Sequence, residues 1–245
     1  MSLNSGTGFK AVVVAMALAT GVDASGSEPA ASTGPTGAGE AAGQAFVVVA
    51  VDQTTPRGAL KVLTQALDMG DVETIRRVLL VESPQQQAWA DAMIALSQAT
   101  GRLQKQAVAT FGAEGARALV GDTAGATMLA MAQLDTFTEE LDEPGLTATV
   151  RSGFADERPM VVKKIDGRWR VPVDSFTGGA PADQLRDVAA RLERQAAAIV
   201  QVVEDVAAGK LATPESAGEA LQRRQLEAVL QPATTAPAST RPSAG

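Results

Sequence analysis

The dipeptide Asp166-Gly167 constrains the fold of this chain more than any other feature of its sequence. It lies between two apolar runs in PMVVKKIDGRWRVPV, residues 159–173. Asp-Gly between alternating runs is the strongest short-range signal for a β-hairpin, because both loop residues tolerate a positive φ angle. A two-residue turn sets the register and places Lys163 opposite Arg170. The sequence therefore predicts an antiparallel hairpin with a defined inner and outer face.

Side chains alternate between the two faces of a strand, so the register assigns each residue of the hairpin to a face. The predicted inner face is apolar, with the stem of Lys164 lying along it, and consists of Met160, Val162, Trp169, Val171 and Val173. The predicted outer face is basic. Together with one arginine of the preceding strand it makes a candidate interaction patch of Lys163, Arg168, Arg170 and Arg151.

Two like charges directly opposite each other, Lys163 and Arg170, destabilise a strand pair by about a few tenths of a kcal/mol. Something must offset this repulsion. The neighbouring strand offers Glu140 or Asp142, and a helix or a partner could cover the face instead. One interpretation of the patch is a site for an anion or an acidic partner; the other, which the weakness of exposed ion pairs favours, is a solvated sheet face with local ion pairs.

Helix signals precede and follow the hairpin. Capping side chains mark three helix starts, at Thr55-Pro56, Asp71 and Ser83-Pro84-Gln85-Gln86. The second of these helices has a predicted apolar face of Val72, Ile75, Val78 and Leu79. Helical spacing continues to about residue 134 and returns over about 182–208 and 213–230. Between them, a period of two predicts strands at 136–143 and 146–152.

Three stretches of the chain resemble the nuclear-transport-factor-2-like superfamily, which includes ketosteroid-isomerase-like and polyketide-cyclase-like domains. TPRGALKVLTQALDMGDVETIRRVLL resembles the opening helix pair of that superfamily, and GLTATVRSG and MVVKKIDGRWRVPV resemble its late antiparallel strands. Secreted bacterial members often end in a strand of the form Asp-Gly-Arg-Trp-Arg-Val, as at 166–171 here. The resemblance covers about 52–82 and 136–176.

The resemblance implies an α+β fold, helix-rich, with one antiparallel sheet in a cone-like arrangement. This chain departs from the superfamily pattern in its middle, where 84–134 is helical, and in the additional helix 182–208. Isomerases of that superfamily use an aspartate base with a tyrosine donor. The present chain has no Tyr, and none of its aspartates stands in a matching motif, so no catalytic residue is carried across.

Composition removes several classes of chemistry. The chain has no Cys and no His, which excludes thiol nucleophiles, disulfides and imidazole ligands for a metal. Its net charge is −7 and only 3% of its residues are aromatic, which argues against nucleic acid as a partner. No cofactor motif is present, since GTGFK at 6–10 lacks the context of a phosphate loop.

The two ends of the chain read differently from its centre. Residues 1–24 have the pattern of a signal peptide, with Lys10 before an apolar run and small residues after it. Residues 25–51 read as a flexible linker and 232–245 as a disordered tail. We therefore expect export to the periplasm or the cell exterior, with no membrane span after processing; the alternative is a cytoplasmic protein.

Between these ends, the sequence predicts an α+β domain over 52–178 and a C-terminal helical extension over 179–231 that packs on it. Trp169 and Asp174, near the end of the sheet, are candidate pocket residues, but the pattern favours a core role for Trp169 and a loop-cap role for Asp174. An acidic cluster reads as a strand edge rather than a metal site, because it lacks the spacing of a calcium loop; its members are Asp135, Glu139, Glu140, Asp142 and Glu143.

These observations favour a non-enzymatic, exported binding or protein-interaction module whose partner is a protein or a small molecule. One alternative is a small-molecule-binding or isomerase/lyase-like enzyme that uses an Asp or Glu in a cone-shaped pocket. Another is a helical assembly protein that forms a homo-oligomer through 182–208, where apolar residues follow a heptad-like spacing. The alternative for that helix is packing on its own sheet.

Overall fold

A computed structural model describes residues 52–152 and 158–230 of the chain. Its helices are α1 (Pro56–Met69), α2 (Val72–Val78), α3 (Pro84–Val120), α4 (Thr123–Thr136), α5 (Asp174–Thr177), α6 (Ala182–Ala207) and α7 (Pro214–Leu230). Its strands are β1 (Leu79–Leu80), β2 (Thr138–Leu141), β3 (Thr147–Arg151), β4 (Met160–Ile165) and β5 (Arg168–Pro172). The predicted helix-rich α+β class is confirmed. The predicted signal peptide, linker and tail, residues 1–24, 25–51 and 232–245, lie outside the described residues.

The predicted helix starts are confirmed, and each has a side-chain cap. The hydroxyl of Thr55 accepts a hydrogen bond from the backbone N–H of Gly58 at 3.0 Å. The carboxylate of Asp71 accepts one from Thr74 at 3.1 Å, and Ser83 caps α3 in the same way. Each cap satisfies a backbone donor that a helix start would otherwise leave unpaired.

The strands form one five-stranded sheet in the order β1-β5-β4-β3-β2. The hairpin β4–β5 and the pairs β3–β4 and β2–β3 are antiparallel, as predicted. The prediction of a purely antiparallel sheet is wrong, because β1 pairs in parallel with β5 through Leu79 and Val171. The sequence pattern predicts Leu79 on the apolar face of α2. The residue ends that helix and is buried as a strand residue instead, and a two-residue strand is too short to show alternation.

Two clusters of buried apolar side chains hold these elements together. The first lies between the inner face of the sheet, α1, α2 and the beginnings of α3 and α6. The second lies between the later part of α3, the later part of α6, and α7. Long helices therefore connect the sheet to a helical bundle.

Most of the apolar residues of α6 that suggested oligomerisation face the protein's own interior, whereas Val188 is exposed. Leu185 belongs to the first cluster, and Ile199 and Val202 belong to the second, each at most 4% exposed. Packing against α3 and α7 therefore occupies the face that a coiled-coil partner would need.

Among the described helices, we find none that is both long enough and apolar enough to span a bilayer.

Candidate functional site: the outer face of the sheet

The β4–β5 hairpin positions the candidate site, and its predicted register is confirmed. Lys163 pairs with Arg170, and Ile165 pairs with Arg168. The inner-face residues are almost fully enclosed, including Val162 and the other apolar members at 0–3% exposure. Because side chains alternate, this burial directs the basic residues to the opposite, solvent-facing side.

Three cations come together on this side, and we name Lys163, Arg168 and Arg170 the basic face. Lys163 and Arg170 are directly opposite each other on adjacent strands. Arg168 lies two residues along the same strand as Arg170, about 7 Å away along the chain. Within the described ranges, neither arginine forms an ion pair with a carboxylate. The two guanidinium groups can therefore donate hydrogen bonds to a carboxylate from outside without breaking an internal pair with the described residues.

Arg151 shares this side of the sheet but lies apart from the basic face. Thr147, at the other end of β3, is the residue paired with Lys163. Arg151 lies four residues beyond Thr147 on β3, which places its backbone about 13 Å along the strand from the Thr147–Lys163 pair. Its guanidinium is 3.9 Å from Glu140 on β2. Of the four predicted patch residues, the structure brings together three.

The positive charge of Lys163 is offset by a residue that the sequence analysis missed. Its ammonium group lies 2.7 Å from the carboxylate of Glu82, in the turn between β1 and α3. The negative charges predicted to compensate Lys163, those of Glu140 and Asp142, do not make this contact: Glu140 lies near Arg151, and Asp142 accepts a hydrogen bond from the backbone of Thr147. Glu82 was missed because it is 81 positions away in the sequence.

Glu82 is held in place by a buried glutamine at the start of α3. The side-chain oxygen of Gln86 accepts a hydrogen bond from the backbone N–H of Glu82 at 2.6 Å. Its side-chain nitrogen donates to the carboxylate of Asp174 at 2.9 Å. Gln86 is only 6% exposed, so its position is set by packing as well as by these two bonds.

The two candidate pocket residues are placed differently from each other. Trp169 is 3% exposed within the first apolar cluster, with the ammonium of Lys164 5.7 Å from the centre of its ring. Asp174 is exposed as the first residue of α5 and is bound by Gln86. One side chain thus supports the core, and the other tethers the start of α3 to the end of the sheet.

The outer side of the sheet changes charge from one edge to the other. Glu140 pairs with Thr149, and Thr149 pairs with Val161, so these residues share the side that carries the basic face. The Glu140 side chain is 76% exposed. On this side of the sheet, the cations of the basic face therefore lie on β4 and β5, and the carboxylate of Glu140 lies on β2, 3.9 Å from Arg151.

The members of the predicted acidic cluster make separate contacts in different parts of the structure. Glu139 accepts hydrogen bonds from the backbone and side chain of Arg57 at 2.8 and 2.9 Å, and Asp135 forms an ion pair with Lys61. Asp142 instead closes the turn before β3. In the described ranges, no group of three or more acidic side chains converges as a metal site would require.

No protein-family model matches this chain, and the searches of curated proteins and solved structures find no significant match.

Proposed function

We propose that this protein is a non-enzymatic, exported interaction module that binds an acidic segment of a partner protein through the basic face. The observation that carries the proposal is the pair Arg168 and Arg170, on the solvent-facing side of β5 and without an internal ion pair among the described residues. The chain as a whole has a net charge of −7, so this positive surface opposes its overall charge.

Arginine suits this role for a geometric reason. The guanidinium group presents several donors in a planar fork that matches a carboxylate, and such charge-assisted bonds are stronger than neutral ones. A rigid hairpin holds Arg168 and Arg170 at a fixed spacing, which reduces the entropy lost on binding.

The proposed fold is nuclear-transport-factor-2-like with helical additions, and export follows from the pattern of residues 1–24. The resemblance is supported by the helix pair α1–α2 ahead of a sheet that ends in the β4–β5 hairpin. Residues 84–136 depart from the superfamily pattern, since α3 and α4 occupy the part of the chain where that superfamily has strands.

The two alternatives have less support. An enzyme using Asp174 needs that carboxylate free for chemistry, but the side chain of Gln86 binds it. Assembly through α6 needs an open apolar face, but residues such as Val202 are enclosed by the protein's own helices.

The test uses the full chain and two labelled homopolymeric peptides, poly-glutamate and poly-lysine. We expect the wild type to bind poly-glutamate in a fluorescence-anisotropy titration and to lose this binding as salt increases, because salt screens exposed charges. Arg168→Glu with Arg170→Glu should abolish binding while the melting temperature holds, since both side chains are at the surface.

The matched control is Arg186→Glu with Arg191→Glu, which changes the net charge equally on the exposed side of α6. This variant should keep most of the binding. Equal loss in both variants would show that net charge alone attracts the peptide, and the assignment of the basic face would then be wrong.

A further inference from the structure

Glu82 occupies the basic face in the same way that an acidic ligand would. Its carboxylate lies 2.7 Å from the ammonium of Lys163, and both side chains are part-exposed at 43% and 38%. The chain itself therefore shows that a carboxylate is accommodated at Lys163, the residue paired with Arg170.

We propose that Glu82 is a built-in competitor that weakens the binding of acidic partners at the basic face. This inference rests on the proposed function and concerns how that site is regulated. A ligand carboxylate aimed at Lys163 must displace Glu82, whereas Arg168 and Arg170 are open from the start. The site thus has two cations available at once and a third available only by exchange.

The position of Glu82 is built into the fold. Its backbone N–H is bound by Gln86, which is buried and also anchored to Asp174. The backbone of the turn is thereby held while the carboxylate stays at the surface. Exchange of the carboxylate requires only rotation of the Glu82 side chain.

The size of the effect follows from the exposure of the pair. Exposed ion pairs are weak, so removing the competitor should tighten poly-glutamate binding by about two- to fivefold. The test variant is Glu82→Gln, which keeps the shape of the side chain and removes its charge. The matched control is Glu219→Gln on α7, which changes the net charge equally at an exposed position remote in sequence from the hairpin.

The decisive experiment is a double-mutant cycle with Lys163→Met in the full chain, read out by anisotropy with labelled poly-glutamate. We expect Glu82→Gln to tighten binding, Glu219→Gln to leave it unchanged, and the gain from Glu82→Gln to disappear when Lys163 is Met. Equal affinities for the wild type and Glu82→Gln would overturn the competitor role.

A similar gain from Glu219→Gln, or a gain that persists without Lys163, would also overturn it, because the cause would then be overall charge. These results differ from failure of the proposed function. If the proposed function fails, poly-glutamate binds neither the wild type nor Glu82→Gln. The Arg168→Glu with Arg170→Glu variant then also shows no binding, as the other two proteins do.

Discussion

Asp68, in the last turn of α1, carries its charge where the surroundings oppose it. Burial raises the pKa of Asp68 above its ordinary value, and a hydrogen bond with Thr127 partly counteracts this effect. A negative charge is also unfavourable at the carboxyl end of a helix. Since the folded-state pKa is raised, the stabilising contribution of this group is complete below its unfolded pKa and is lost as the pH rises through its folded pKa.

We therefore expect Asp68→Asn to stabilise the protein at pH 7. The helix-dipole part alone is about 0.3–1 kcal/mol, or roughly one to four degrees in melting temperature for a chain of this size. The difference between the variant and the wild type should shrink towards pH 3, where Asp68 becomes protonated. This difference in stability is measured by thermal unfolding at pH 7 and at pH 3, monitored by circular dichroism.

Asp183, in the first turn of α6, supplies a control of opposite sign. A negative charge there favours the helix dipole, so Asp183→Asn should lower the stability slightly at pH 7. Stabilisation by both substitutions would contradict the argument, because it would indicate a general effect of reducing the net negative charge.

Among the helices, α4 is unusual in being apolar on several sides while lying at the surface. Met128 is 74% exposed and Leu129 is 62% exposed, whereas Leu134 is 2% exposed within the first apolar cluster. The helix packs on α1, and the ion pair between Lys61 and Asp135 joins the two. Its attachment to the protein therefore depends strongly on one large side chain.

This arrangement predicts very different costs for two substitutions of the same type. Leu134→Ala should destabilise the protein by about 2–4 kcal/mol, because it removes buried contacts and leaves a cavity. Leu129→Ala should change the free energy of unfolding by less than about 0.5 kcal/mol. Urea unfolding monitored by circular dichroism compares them, and similar costs would mean that α4 is packed differently from the structure described above.

At the scale of the whole molecule, the sheet and the helical bundle share structural elements. Both α3 and α6 contribute side chains to the first and the second apolar cluster. A boundary at residue 178 in the sequence therefore does not separate two cores, because α3 carries the second core on its later turns. Loss of one cluster should be transmitted to the other along these helices.

Tryptophan fluorescence can test this coupling, because Trp89 and Trp169 both lie in the first cluster. Leu103→Ala, in the second cluster, should lower the stability by about 2–5 kcal/mol. We expect the fluorescence midpoint in urea to fall together with the circular-dichroism midpoint, as in a two-state transition. A fluorescence midpoint unchanged from the wild type would show that the clusters unfold independently.

The sequence by itself determined the features that are decided within a few residues. The Asp166-Gly167 turn, the hairpin register and the caps at Thr55, Asp71 and Ser83 were all predicted, because each depends on the local backbone. The three residues of the basic face followed from the same register. Alternation also assigned the enclosed side of the hairpin correctly.

Only the tertiary structure decided which distant groups meet. The parallel pairing of β1 and the contact between Glu82 and Lys163 join positions about 80 or more residues apart, and no local pattern encodes such a pair. The strand register also separated Arg151 from the basic face. Apolar spacing on α6 is equally compatible with a partner helix or with the protein's own core. Packing against α3 and α7 selected the core, because these helices bury that face.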